Sequence, residues 1–192
     1  MSQEVEIEFK NMLTQEEYDT LLSAYELGKE DIKTQTNDYF DTKEFLLREK
    51  GAALRVRSKN HTLFLTLKEP ASDGLLETHQ SITQDTFDFI KSKGQLPEGE
   101  VQDQLHNLGV HSELLHLGSL TTHRAERTIE SGLLVLDRSE YLDREDFELE
   151  FEVTKYEEGK RAFHNLLKQH HIKERNAKNK ILRFFLASQE QG

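Results

Sequence analysis

The sequence predicts an α+β fold built on an antiparallel sheet with one apolar and one charged face. Segments such as Glu4–Lys10 and Phe147–Val153 alternate apolar and charged residues, which is the two-residue period of a β-strand. Segments between the predicted strands have helical spacing, and helices can cover the apolar face. Two arrangements of the charged face are then possible. The sheet can leave this face in water, or it can curl so that the face lines a lumen.

Length and composition limit the classes of protein that the chain can represent. The 192 residues predict one domain over 1–192. A formal net charge of −11 argues against binding to nucleic acid or anionic membranes, and the absence of cysteine excludes disulfides and thiolate metal sites. No long apolar run or signal-peptide pattern is present, so we expect a cytoplasmic protein. The oligomeric state, monomer or homodimer, stays open.

The predicted elements follow in chain order. The predicted strands are residues 4–10, 33–41, 52–57, 63–68, 74–82, 115–129, 133–137 and 147–153. The predicted helical segments are residues 14–27, 43–49, 83–93, 98–108, 157–170 and 179–188. Thr14 and Glu17 have the spacing of a capping box. We expect Pro70 to end the fourth strand and Gly118 to interrupt the sixth.

The first strand concentrates negative charge on one face. Glu4, Glu6 and Glu8 alternate with Val5, Ile7 and Phe9, which we expect to pack under the helices. Successive side chains on a face are roughly 6.6 Å apart, and unit charges at about 6 Å repel by roughly 3 kcal/mol at an effective dielectric near 20. A bound cation would relieve this repulsion. The alternative is the solvated outer face of an edge strand.

Other strands place further charges in the same phase. Carboxylates recur at Glu148, Glu150 and Glu152, and cations occur at Lys10, Arg55, Arg57, Lys68 and Arg124. A polyphosphate with divalent ions matches both sets. Arginine and lysine bind phosphate oxygens, whereas carboxylates bind Mg²⁺ or Mn²⁺.

These residues resemble the motifs of one family. Glu6-Ile-Glu8-Phe-Lys10 matches the ExExK signature of the CYTH superfamily, the triphosphate tunnel metalloenzymes. Further motifs resemble the family in order at Tyr39-Phe40-Asp41, Leu54-Arg55-Val56-Arg57, Thr66-Leu67-Lys68, Leu149-Glu150-Phe151-Glu152 and Asn179-Lys180. The resemblance covers residues 4–184 and is closest to the small bacterial CYTH proteins of Gram-positive type.

The resemblance implies a fold and a function. The fold is an eight-stranded antiparallel closed β-barrel, the triphosphate tunnel, with helices packed outside. The expected activity is metal-dependent hydrolysis of a triphosphate, with inorganic tripolyphosphate ahead of thiamine triphosphate and nucleoside triphosphates, and with Mg²⁺ or Mn²⁺ as cofactor. By position, the metal ligands would be Glu6, Glu8, Glu150 and Glu152, and the triphosphate-binding residues Lys10, Arg55, Arg57, Lys68, Arg124 and Lys180. Tyr39 and Lys68 would activate water, while Glu4, Glu77, Asp137 and Glu148 receive no role.

Two other functions stay open at this point. A class IV-type adenylate cyclase would use the same charged residues, with the ribose 3′ oxygen attacking the α-phosphate. A non-catalytic module would bind polyphosphate or a nucleotide in order to sense it. The carboxylates favour an enzyme, because phosphate binding alone needs only the cations.

Overall fold

The computed structural model describes residues 3–72 and 74–191 of the chain. The eight strands are β1 (Gln3–Leu13), β2 (Lys33–Thr42), β3 (Ala53–Lys59), β4 (Thr62–Ala71), β5 (Gly74–Ile82), β6 (Leu114–Ile129), β7 (Gly132–Tyr141) and β8 (Arg144–Val153). The α-helices within these residues are α1 (Gln15–Ala24), α2 (Leu46–Glu49), α3 (Gln84–Lys93), α4 (Glu100–Asn107), α5 (Tyr156–Gln169) and α6 (Lys180–Glu190). A 3₁₀ turn at Lys29–Asp31 precedes β2.

The strands form a closed barrel in the order β1-β5-β4-β3-β2-β6-β7-β8, with β8 paired to β1. The antiparallel pairs β3–β4, β4–β5, β6–β7 and β7–β8 are joined by short hairpin turns, such as Asn60-His61 between β3 and β4. The predicted fold class is therefore confirmed. Within residues 3–72 and 74–191, no helix is long and apolar enough to cross a membrane.

The chain divides into two compact units. The first unit comprises Gln35–Ser119 together with the start of β1 up to Val5. The second unit comprises Glu6–Thr34 and the chain from Leu120 onward. Each unit has its own hydrophobic core.

In the first unit, helices α3 and α4 cover one face of the sheet. The core contains Leu54 and Val56 of β3, Leu65 and Leu67 of β4, Phe87 and Ile90 of α3, and Val101 and Leu105 of α4. Alternate residues on these strands point away from the helices. In a closed barrel that opposite face is the inner face.

The second unit repeats this arrangement with other helices. Its core contains Leu134 and Leu136 of β7, Leu149 and Phe151 of β8, Tyr18 and Leu21 of α1, and Phe163 and Leu166 of α5. Phe9 stacks on Phe163 with 5.7 Å between ring centroids, as its predicted face requires. Val5 does not follow the prediction, because its side chain is 56% exposed. The first β1 residue with a described partner on β8 is Ile7, which lies opposite Val153. Val5 comes before this pair and lies outside the part of β1 that pairs with β8.

Local signals set several boundaries. The capping box is present, since the Glu17 backbone N–H donates to Thr14 Oγ1 at 3.2 Å and the Thr14 N–H donates to Glu17 Oε2 at 2.9 Å. Two boundary predictions are wrong. Pro70 does not end β4, because it lies opposite Leu75 near the end of the ladder, where a missing N–H is tolerated. Strand β6 runs through Gly118, whose φ of 146° absorbs the local distortion without a break.

The β6–β7 turn depends on Gly132. Its φ is +157°, and a Cβ atom at this position would lie 2.4 Å from the backbone oxygen of Glu152 on β8. Only glycine therefore lets β7 start so close to β8.

Candidate metal and phosphate site

The inner face of the second unit carries aligned charges. The register pairs Glu8 with Glu152, Lys10 with Glu150, Asp137 with Glu148, and Arg124 with Asp137. Residues directly opposite each other in an antiparallel pair have side chains on the same face. The predicted shared phase of these carboxylates and cations is thus present in this unit.

Glu6, Glu8 and Glu152 form a three-glutamate group. Each offers one carboxylate oxygen, and these oxygens all lie within 4.8 Å of one another. Burial raises the pKa of Glu152 and, although Arg124 opposes it, the carboxylates of Glu150 and Glu8 add to the rise. Three hard carboxylate oxygens this close together fit a divalent cation such as Mg²⁺ or Mn²⁺, which would favour the ionised form of Glu152.

Glu150 belongs to a different cluster, although the sequence groups it with the same metal ligands. Its carboxylate accepts from Arg124 Nη2 at 2.7 Å and from Lys180 Nζ at 2.5 Å, and Lys10 Nζ lies 3.6 Å away. Burial works to raise the pKa of Glu150, but Lys180, Arg124 and Lys10 outweigh it and hold the pKa well below its usual range. Glu150 is therefore a buried anion that protein cations already neutralise.

Lys180 is the centre of this buried cluster. Its ammonium lies 2.8 Å from Asp137 Oδ2, 2.8 Å from Glu148 Oε2 and 2.5 Å from Glu150 Oε1. The position follows from α6, whose first turn is capped by Asn179 Oδ1 accepting from the Leu182 N–H at 2.9 Å. Asn179 thereby fixes the helix start that delivers Lys180 to the inner face.

Three further members of the cluster received no role from the sequence. Asp137 is fully buried and accepts two bonds from Arg124, from Nε at 2.8 Å and from Nη2 at 2.6 Å. Glu148 is also fully buried and accepts from Arg183 Nη2 at 3.0 Å. Hairpin register could have predicted Asp137, because the turn at 130–131 sets Arg124 opposite it. The contact of Arg183 depends on how α6 docks, which no local pattern encodes.

The first unit has a second group of charges on its inner face. Lys68 forms an ion pair with Glu77, its directly opposite residue on β5. His79 Nε2 lies 3.1 Å from Glu77 Oε2 and 3.3 Å from Glu4 Oε1, and its Nδ1 lies 3.0 Å from Thr66 Oγ1. The hydrogen bond to Glu77 raises the pKa of His79 against the opposing effect of burial. His79 was not among the residues predicted to form a site.

The two predicted arginines of this unit lie in successive rows. Arg55 is opposite Tyr39, and Arg57 is opposite Asn37, whose Oδ1 accepts from Arg57 Nε at 2.9 Å. Lys68 belongs to the next row, because Thr66 is the β4 residue opposite Arg55. The predicted pairing of Tyr39 with Lys68 stays a prediction.

Comparison with known proteins agrees with these features. The family model for the CYTH domain matches residues 4–185. The chain is 52% identical over 188 residues to the protein named "Putative triphosphatase YjbK" of Bacillus subtilis (strain 168), covering 96% of each sequence.

Solved structures share the fold over most of the chain. A Bacillus halodurans protein, described as "a putative adenylate cyclase", has a TM-score of 0.92 and 41% identity, covering 96% of this chain and 100% of that one. The protein HpAC1 from Hippeastrum, described as a "putative adenylyl cyclase" with "a dominant triphophatase activity", has a TM-score of 0.75 and 26% identity, covering 93% and 94%. From the family match and the identity to YjbK, the chain belongs to the CYTH domain family.

Proposed function

We propose that the chain is a divalent-metal-dependent triphosphatase that cleaves the terminal anhydride bond of a triphosphate and releases phosphate. The observation that carries the proposal is the three-glutamate group of Glu6, Glu8 and Glu152, with oxygens within 4.8 Å of one another. Lys10 Nζ lies 3.0 Å from Glu8 beside this group. Hard oxygen ligands next to a cation fit a metal-bound phosphate.

The proposal assigns the predicted residues as follows. Glu6, Glu8 and Glu152 hold Mg²⁺ or Mn²⁺, which when bound polarises phosphate oxygens and offsets their charge. Arg55, Arg57 and Lys68 of the first unit, and Lys10, Arg124 and Lys180 of the second, bind phosphate oxygens. Fixed cations of this kind stabilise the negative charge of a phosphoryl group during its transfer to water.

Glu150 takes a modified role in this proposal. Because Arg124 and Lys180 neutralise it, we assign Glu150 to holding these two cations in position rather than to first contact with the metal. Phosphate oxygens then compete with Asp137, Glu148 and Glu150 for the same donors. Tyr39 and Lys68 remain our candidates for orienting or deprotonating the attacking water.

The relatives support hydrolysis over the alternatives. The name of the Bacillus subtilis relative and the activity stated for the Hippeastrum protein both point to a triphosphatase. The description of the Bacillus halodurans structure keeps adenylate cyclase as a second candidate. The substrate in either case is a small molecule that carries a triphosphate.

One experiment separates these functions. Purified protein is incubated with tripolyphosphate, ATP or thiamine triphosphate, with Mg²⁺, with Mn²⁺ or with a chelator, and the products are measured. We expect metal-dependent release of phosphate, with tripolyphosphate cleaved. Release of cyclic AMP and pyrophosphate from ATP would instead indicate a cyclase. Binding without any product would contradict an enzymatic role.

A further inference from the structure

Lys68 is a proposed phosphate ligand that the folded protein already pairs with a buried carboxylate. Glu77 is 4% exposed, and its Oε1 forms the ion pair with Lys68, the directly opposite residue on β4. When the Lys68 ammonium moves to a phosphate oxygen, the Glu77 carboxylate stays buried beside an anionic ligand. A buried charge that loses its partner is strongly destabilising. The ligand-bound state therefore needs a second cation at Glu77.

His79 is in position to become that cation. Its Nε2 lies 3.1 Å from Glu77 Oε2, which is the carboxylate oxygen opposite to the one paired with Lys68. The same nitrogen lies 3.3 Å from Glu4 Oε1 of β1. A proton on His79 would thus give Glu77 a cationic partner that does not depend on Lys68.

The other ring nitrogen has a partner that suits both charge states of His79. Nδ1 lies 3.0 Å from Oγ1 of Thr66, which is 2% exposed. A hydroxyl both donates and accepts, so it can donate to Nδ1 of the neutral ring or accept from the N–H of the imidazolium. His79 can therefore gain a proton without losing a hydrogen bond.

The charges that face His79 mostly favour the imidazolium. Glu77 on the same strand and Glu4 on β1 are its carboxylate neighbours. Arg55 of β3 is the cation in its row, because Thr66 lies opposite both residues. The hydrogen bond to Glu77 raises the pKa of His79, although burial opposes it. Removing the Lys68 ammonium from Glu77 would raise this pKa further.

Helix α4 adds no charge to this group. It packs on the outer face of β5, where Gln80 Nε2 donates to the Glu98 carbonyl just before the helix at 3.2 Å. His79 and Gln80 are adjacent on the strand and point to opposite faces. The carboxylates of α4 therefore do not face the imidazole.

We propose that His79 is a positioning residue for Lys68, and that its imidazolium becomes the partner of Glu77 when Lys68 binds a phosphate oxygen. The inference rests on the proposed phosphate-binding role of Lys68 and adds a residue to it. With Nε2–H donating to the carboxylates, the added proton comes from solvent and binds Nδ1, where Thr66 accepts it. Triphosphate binding then takes up to one proton, and by linkage the affinity falls as pH rises.

The first test measures KM and kcat for tripolyphosphate with Mg²⁺ from pH 6 to pH 9. His79→Gln keeps an N–H for Glu77 but cannot gain a charge. We expect its KM to exceed the wild-type KM by about tenfold or more at pH 6, with kcat changed by less than about twofold. The ratio of the two KM values should fall towards one as pH rises and the wild-type ring loses its proton.

His61→Gln is the matched control for this test. It makes the same substitution in the exposed β3–β4 turn, so its KM should equal the wild-type KM at every pH. A KM ratio between His79→Gln and wild type that is constant with pH would overturn the inference, because a merely structural role of the ring would not follow its protonation.

A double-mutant cycle tests whether His79 acts through Glu77. Glu77→Gln removes the charge that His79 compensates, so His79→Gln in that background should change KM at pH 6 by less than about twofold. If the two effects instead multiply, His79 affects the phosphate independently of Glu77, and the positioning role is wrong.

Proton uptake can be measured without turnover. The diimido analogue of tripolyphosphate, whose P–N–P bridges resist hydrolysis, is titrated calorimetrically with Mg²⁺ in buffers of different ionisation enthalpy at several pH values between 6 and 9. Protonation of the ligand itself is common to all variants. The wild type and His61→Gln should therefore take up more protons than His79→Gln, by up to one per ligand. Equal uptake in all three proteins would overturn the inference.

Failure of this inference and failure of the proposed function give different results. Metal-dependent cleavage of tripolyphosphate with a constant KM ratio would overturn the role of His79 and leave the triphosphatase intact. Extra proton uptake by the wild type on binding the diimido analogue, without hydrolysis of any triphosphate, would support the role of His79 and contradict the triphosphatase. A wild-type protein that does not bind the analogue would contradict both.

Discussion

The two units differ in how the charged side chains on their inner faces are paired. In the second unit, carboxylates surround each buried cation: Lys180 contacts three of them, and Arg124 contacts two. In the first unit, Lys68 is paired with Glu77, whereas Arg57 donates to the neutral amide of Asn37 and the described residues give Arg55 Nε no hydrogen-bond partner. The cations of the second unit are thus neutralised by carboxylates, whereas Arg55 of the first unit keeps a donor for a ligand. Cations in the two units should consequently differ in what they contribute to stability and to binding.

Lys180→Met should have the largest effect on stability. It leaves Asp137, Glu148 and Glu150 without their shared ammonium, and removing one partner of a buried ion pair costs about 3–5 kcal/mol. For a chain of this size we expect the melting temperature to fall by roughly 6–20 °C. The control is Lys178→Met, the same substitution at an exposed position in the preceding segment. Similar melting temperatures for the two variants would contradict the buried cluster.

The binding of ligand should depend more on the first unit. A ligand at a hundred times its Kd stabilises the folded state by about 2.7 kcal/mol, which corresponds to roughly 5–10 °C here. We expect tripolyphosphate with Mg²⁺ to produce such a shift, and monophosphate or sulfate a smaller one. Arg57→Ala should reduce the shift, and it should also lower the unliganded melting temperature slightly, because the buried Asn37 Oδ1 loses its donor. Equal shifts with phosphate and tripolyphosphate would indicate a general anion effect.

Neighbouring glutamates of β8 should separate metal binding from stability. Glu152→Gln should weaken Mn²⁺ binding by about tenfold or more in a calorimetric titration, because it removes a ligand of the three-glutamate group. Glu150→Gln should instead lower the melting temperature, because it unbalances Arg124 and Lys180. Loss of Mn²⁺ affinity in Glu150→Gln alone would reverse our assignment.

The pH dependence of these two variants should have opposite signs. The pKa of Glu152 is raised in the folded state, so its contribution to stability is present below its ordinary pKa and is lost as pH rises through the folded value. Glu152→Gln should therefore leave the metal-free protein equally or more stable at pH 7. The pKa of Glu150 is lowered, so its contribution is present above the ordinary pKa and is lost as pH falls through the folded value. Melting curves between pH 3 and pH 8 would show both trends.

His79→Asn should have the smallest effect. The raised pKa of His79 means that its stabilising contact with Glu77 is present below the ordinary histidine pKa and is lost as pH rises through the folded value. Because the side chain is partly exposed, we expect a loss of roughly 1–4 °C at pH 6 and less at pH 9. His61→Asn, in the exposed β3–β4 turn, is the control. A larger loss at pH 9 would contradict the ion pair.

Strand periodicity predicted the fold well because each buried face is periodic along a single segment. The order and approximate bounds of the strands could therefore be predicted, and the cross-strand pairs of hairpins could have been. Counting outward from the β4–β5 and β6–β7 turns aligns Lys68 with Glu77 and Arg124 with Asp137. Asp137 received no role because it shares the phase of apolar residues on β7.

Contacts that depend on helix docking could not be predicted in this way. The family resemblance predicted Lys180 as a phosphate ligand, but its three carboxylate partners come from strands far from it in the chain. The same holds for Arg183, which contacts Asp146 and Glu148. Periodicity also could not separate Glu150 from Glu152, because both have the same phase and differ only in which side chains reach them.

The glycine of the β6–β7 turn has a consequence for how substitutions should be interpreted. Gly132 has no side chain, yet a Cβ atom there would lie only 2.4 Å from the backbone oxygen of Glu152. Any other residue would therefore displace the backbone at the carbonyl of a candidate metal ligand. A screen for variants that lose metal affinity should therefore recover substitutions of Gly132, although this residue has no side chain that could bind a metal. A screen for surface turns that tolerate substitution should not recover this position.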